Sequence, residues 1–149
     1  MLFKTLLVIH VFSAIFGLGP GFGFIPIKRS AKTLIQLRFA YTINRTLHGF
    51  VMTGGFLLLV TGLTMGFLEP GLFHAGWYVT SLILYFIALS IGPFVLTPKI
   101  KPVKVLLAEA EGDEIPKEYF DLHRPVLVFE WILNGLFTII ILLMLTKPF

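Results

Sequence analysis

The sequence predicts an all-α fold, a four-helix transmembrane bundle running up-down-up-down. Three observations predict it. The 149 residues are 56% hydrophobic and 13% charged, where soluble domains have roughly 45–50% and about 25%. A chain this short exposes too much surface to leave so little charge on it in water. Four apolar runs, 5–27, 47–68, 76–97 and 125–146, each reach the roughly 20 helical residues that cross a bilayer. None alternates polar and apolar residues as a barrel strand does.

Each run carries its own boundary marks. The first lies between Lys4 and Lys28. It is too long for the apolar stretch of a cleaved signal peptide, and further spans follow it. Pro20 frees the carbonyl of Phe16 and predicts a kink. The second run lies between Arg45 and Glu69, and the short turn "EPGLFHAG" makes it an antiparallel pair with the third, which Pro98 and Lys99 end. The fourth opens on Pro125, which suits a first helical turn, and closes at Lys147. Trp77, Tyr78 and Trp131 lie near span ends, where amphipathic rings favour the interface. The whole chain, 1–149, reads as one transmembrane domain without an internal repeat. Within the long connection 98–124, "VKVLLAEAE" predicts a short surface helix.

Charge gives the direction. Of the 12 Lys and Arg residues, all but Lys4 and Lys147 lie in the connections 28–46 and 98–124. The positive-inside rule places those connections in the cytoplasm and both termini outside, in a bacterial-type plasma membrane. The net charge of +4 then reports orientation and contact with anionic lipid, with no call for nucleic acid. The absence of cysteine excludes disulfides, thiolate metal sites, iron–sulfur clusters and covalent c-type haem. No P-loop, HExxH, GxSxG or EF-hand pattern is present.

In lipid, small and polar residues choose the packing face, because burial of apolar groups does not. The expected inward stripes are His10, Ala14, Gly17 and Gly21 in the first span, and His48, Met52, Gly55, Gly62 and Gly66 in the second. The third offers Ser81, Tyr85, Ala88 and Gly92, and the fourth His123, Glu130 and Asn134 with Thr138 at the edge. The glycine spacing leaves volume for either a neighbouring helix or a flat ligand.

Ionisable residues within spans are costly and mark candidate sites. His10 reads either as an axial haem ligand or as a histidine bonded to Thr61 or Thr64 on a neighbouring helix. His48 and His123 lie at similar depth at the same end. They read as a pair of haem b ligands, with Arg45, Arg124 and Arg38 holding propionates, or as interfacial histidines. Haem iron is the only metal expected. His74 reads as a solvated turn histidine, and Met65, near His10 in depth, as packing. Glu130, in "VFEWILNG", needs a cation or a proton. It reads as a proton carrier whose polar path continues through Asn134 and Thr138, or as half of a structural ion pair with Arg45, with His48 the other near cation.

The stretches "IHVFSAIFGLGPGF" and "RTLHGFVMTGGFLLLVTGL" resemble a family of small bacterial four-span membrane proteins classed as domain of unknown function 2269. The resemblance covers most of the chain and implies the architecture without an activity. The plan is also similar to four-span haem-binding families, the copper-resistance D-type proteins and the membrane protoporphyrinogen oxidase. Three functions remain open: a haem b-binding redox or haem-handling protein, a small proton-coupled carrier, expected as a homodimer, and a non-catalytic subunit of a membrane complex.

Overall fold

Helix α1 (Leu2–Arg29) runs unbroken through Pro20 and Pro26 and closes on Lys28 and Arg29, cations that suit the negative end of a helix. The computed structural model describes residues 1–149. Helix α2 (Leu34–Leu68) starts at Thr33, whose hydroxyl accepts the Gln36 N–H at 3.3 Å, while the Gln36 side chain accepts the Lys32 N–H at 2.8 Å. This is close to a capping box, and it fixes where α2 begins. A 3-10 turn (Pro70–His74) leads to α3 (Gly76–Ile91), a π-helical turn (Gly92–Leu96) and α4 (Thr97–Glu109), which continue as one rod. Helix α5 (Lys117–Thr146) starts ahead of the expected fourth run, so Pro125 lies inside it and not in its first turn. There is no strand, and the four spanning helices run up-down-up-down as an all-α bundle.

The π turn explains why Pro98 does not end the third span. Its wider winding lets the Thr97 N–H and hydroxyl both reach the Gly92 carbonyl, the hydroxyl at 3.1 Å. Pro98 then falls in the first turn of α4, where its missing N–H matters least.

The connections 28–46 and 98–124 differ most from expectation, because they are largely helix. The 35 residues of α2 extend about 52 Å at 1.5 Å per residue, against a hydrocarbon core about 30 Å thick. The surplus joins α4 and the start of α5 in a helical head. Its core is Leu34, Leu37, Val103, Leu107, Tyr119 and Val126. Each such aliphatic side chain contributes roughly 1.5–3 kcal/mol when withdrawn from water. The expected surface helix over 103–111 falls on the second half of α4, which ends at Glu109, and it turns Val103 and Leu107 into this core.

Arg38 fastens the head. Its Nε donates to the Leu107 carbonyl at 2.7 Å and its Nη2 to the Ala110 carbonyl at 2.6 Å. These are acceptors at the C-terminal end of α4 that the helix itself leaves unbonded. The Leu34 N–H donates to the Asp113 carbonyl at 2.8 Å, tying α2 to the chain between α4 and α5.

Within the membrane part, α1 packs chiefly on α2, and α3 on α5. Leu18, Leu58, Tyr85 and Ile140, one from each spanning helix, meet in a second core. The α1–α2 crossing is backbone against backbone. A Cβ on Gly17 would lie 2.7 Å from the Gly54 carbonyl carbon, and one on Gly54 would fall on the Gly17 backbone. The Tyr85 hydroxyl donates to the Gly55 carbonyl at 2.7 Å and that of Tyr78 to the Gly62 carbonyl at 3.0 Å, so tyrosines from α3 seal against the same stripe. The inward face of α2 is therefore Gly54, Gly55, Leu58, Thr61, Met65 and Gly66. Met52, expected on it, is 61% exposed, and His48 is exposed too. Neither position carries the close contact that fixes the helix rotation.

Replacing Gly54 by valine is expected to lower unfolding free energy in detergent by about 1–3 kcal/mol, the usual range for overpacking. Gly19, which meets nothing within 4 Å, is the control. Gly19→Val is expected to stay within about 0.5 kcal/mol of the parent in the same thermal melt.

Candidate functional site

Where the head meets the bundle, helices α1, α2 and α5 bring polar side chains into one buried junction. Helical spacing prepares it. Phe24 and Lys28 are four apart on α1, Tyr41 and Asn44 three apart on α2, and His123 and Glu130 seven apart on α5, so each pair shares a face.

The centre is an ion pair. Lys28, 5% exposed, donates through Nζ to Oε1 of Glu130, 8% exposed, and this is the only salt bridge in the structure. Two opposite charges in so dry a place are tolerated because each supplies the other's counter-charge; either one alone would carry a large desolvation cost. The Tyr41 ring lies 5.6 Å from Nζ, giving the ammonium a second, π-electron partner. The Tyr41 hydroxyl is 3.3 Å from Nδ1 of His123, whose ring stacks on Tyr119 at 5.0 Å and 10°. The Asn44 amide donates to the Phe24 carbonyl at 3.1 Å. Two acceptors stay unmatched: Oε2 of Glu130 and Oδ1 of Asn44 are buried and find no donor in the protein.

The partner of Glu130 is thus Lys28, and the expected pairs with Arg45 and His48 are not formed. Arg45 and Arg124 are both exposed. Lys28 reads in the sequence as the charge that ends the first span. In the structure Lys28 lies in the last turn of α1, and its long apolar stem carries the ammonium inward. A signal for this exists in the sequence: the stripe His10, Gly17, Gly21, extended by seven, lands on Lys28.

His10 takes its neighbouring-helix alternative. Its Nδ1 lies 2.7 Å from Thr61 Oγ1, and that hydroxyl also lies 2.6 Å from the Leu57 carbonyl. The Thr61 hydroxyl thus stands between the carbonyl of its own helix and the imidazole of α1. The imidazole packs at Gly62, where a Cβ would come within 3.3 Å of Cε1. The volume that Gly17 gives up below it is filled by the α2 backbone. His48 sits on the outside of α2 with its ring 6.4 Å from Phe24, and no ring contact or hydrogen bond joins it to His123. His74 is exposed and Met65 buried. Arg38, expected near propionates, is engaged by α4 carbonyls. Asn134 is half-buried, but Thr138 is exposed and its hydroxyl turns back to the Asn134 carbonyl at 2.8 Å, so the polar path stops short of it.

A family model described as "Predicted integral membrane protein (DUF2269)" matches residues 4–148. The chain belongs to the DUF2269 family. No curated protein and no solved structure matches it. The DUF2269 chain is accordingly an integral membrane protein with four candidate spans, Leu2–Arg29, Leu34–Leu68, Gly76–Glu109 and Lys117–Thr146. The polar junction joins the first, second and fourth of them.

Glu130→Ala leaves the Lys28 ammonium buried and unpaired, and is expected to destabilise the fold by about 3–5 kcal/mol. Adding Lys28→Met to it is expected to recover most of that loss, so a double-mutant cycle of detergent melts should show strong coupling. The same cycle between Glu130 and Arg45 should show none.

Proposed function

We propose that this DUF2269 protein is a small proton-coupled membrane carrier whose proton-exchanging centre is the Lys28–Glu130 pair. The observation that carries the reading is the state of the carboxylate: Oε1 holds Lys28, while Oε2 is buried beside it without a donor. A proton on Oε2 neutralises Glu130 and removes the charge attraction that holds α1 to α5. Loss of that proton restores the pair. The contact between two spanning helices then follows the occupancy of one proton, which is the coupling a carrier needs. The readings of haem b at His10 or at His48 and His123, and of a silent assembly subunit, have no comparable observation in their favour. The concentration of Lys and Arg in the head supports an orientation with the head in the cytoplasm and both termini outside, in a membrane we read as a bacterial plasma membrane.

The sign follows directly. A proton on Glu130 loosens α1 from α5, and its loss closes them. In proteoliposomes, acidifying the medium is expected to produce a protonated-carboxyl infrared band. Spin labels on the exposed Phe22 and Trp131 should separate at the same time. Glu130→Gln should abolish the band and hold the labels in the open spacing at every pH. A carboxylate that stays ionised, with fixed label spacing throughout, refutes the proposal.

A further inference from the structure

We propose that Tyr41 and His123 are the relay through which Glu130 exchanges its proton with the water around the head. This deepens the proton-coupled reading and rests on it. A carboxyl buried as deeply as Glu130 does not meet bulk water, so its exchange needs a route. Toward the far side of the membrane the route closes: Thr138 is exposed with its hydroxyl on its own helix, and Ile140 is buried in the bundle core. Toward the head it is open. One heptad back on α5, His123 is half-exposed, and its Nδ1 is 3.3 Å from the Tyr41 hydroxyl. The Tyr41 ring in turn lies against the Lys28 ammonium that binds Glu130.

The last gap has its own marks. Glu130 Oε2 and Asn44 Oδ1 are buried acceptors without donors, and Asn44 is three residues, one helical turn, from Tyr41. Lys28 has three N–H donors and uses one on Glu130. In the relay, one water molecule donates to Glu130 Oε2 and accepts from a free Lys28 N–H. A metal cation fits less well, because the ammonium already occupies the carboxylate. The ionisable groups around His123 are Lys28 and Arg29 of α1, Tyr41 of α2 and Tyr119 of α5. Stacking on Tyr119 holds the imidazole in the plane that keeps Nδ1 toward Tyr41.

The transfer balances. A hydronium ion at the head gives its proton to His123 Nε2. The Nδ1–H proton passes to the Tyr41 oxygen, and the Tyr41 hydroxyl proton passes to the bridging water. That water gives one of its own protons to Glu130 Oε2. One N–H and one O–H bond form for each that breaks, no electron changes owner, and one proton has moved from bulk to carboxylate. A subsequent flip of the tautomer resets the imidazole.

Time-resolved infrared spectroscopy on the full chain in liposomes, after a pH jump on the head side, tests this. The protonated band of Glu130 should rise at least ~10-fold more slowly in His123→Gln than in the parent, with the same final amplitude, since a positioned proton-transfer group is typically worth 10²–10⁴-fold. Free imidazole should restore the rate in His123→Gln. Tyr41→Phe, which keeps the ring over Lys28, is the second variant and should slow the rise equally. A merely structural role for His123 would change the amplitude or the stability and would not respond to added imidazole. Parent-like rates in either folded variant overturn the relay while leaving proton exchange at Glu130 standing. No Glu130 band in the parent overturns both.

Discussion

One buried ion pair constrains the rest of this molecule. Lys28 closes α1 and Glu130 lies well within α5, and neither charge is stable in that environment without the other. Their contact fixes the rotation of α1 and the depth at which α5 passes it. It also decides what can surround them: an aromatic face, a tyrosine hydroxyl, a carboxamide and a stacked imidazole gather there. Elsewhere in the bundle, polar side chains mostly turn back on their own helices, as Ser13, Thr61, Ser81 and Thr138 do through carbonyls one turn away.

Two different physical regimes hold the two halves together. In the membrane part, contact is gained by removing side chains, so that Gly17 and Gly54 bring backbones together and tyrosine hydroxyls reach carbonyls. In the head, contact is gained by withdrawing Leu34, Leu37, Val103 and Leu107 from water. The junction lies at the seam, and α2 passes through both regimes without a break.

This division also explains what the sequence discloses. Four spans and an all-α bundle are legible because apolar length is an unambiguous signal, and His10 with Thr61 is legible from shared depth. The head is hidden because its helices are amphipathic and rich in Lys and Arg, so its core residues are sparse among charges that also mark the ends of spans. Lys28 is hidden for the same reason: a cation at a span boundary has a ready explanation as an anchor, and only the packing of α1 beside α5 shows its side chain turned inward onto Glu130. Met52 shows the opposite error, a side chain placed on a stripe by spacing although a neighbouring pair of glycines, Gly54 and Gly55, sets the true face.

The Arg38 clasp has a consequence for how sequences of this kind can drift. Its guanidinium addresses main-chain oxygens at 107 and 110, and every amino acid presents the same oxygen. Position 110 is therefore at liberty to change its side chain without loosening the clasp. Position 38 is not: lysine, with one compact charge in place of a planar fork, does not span two carbonyls in the same way. The clasp itself thus depends on the side chain at one genetic position, while its counterpart is shielded by the uniformity of the peptide bond.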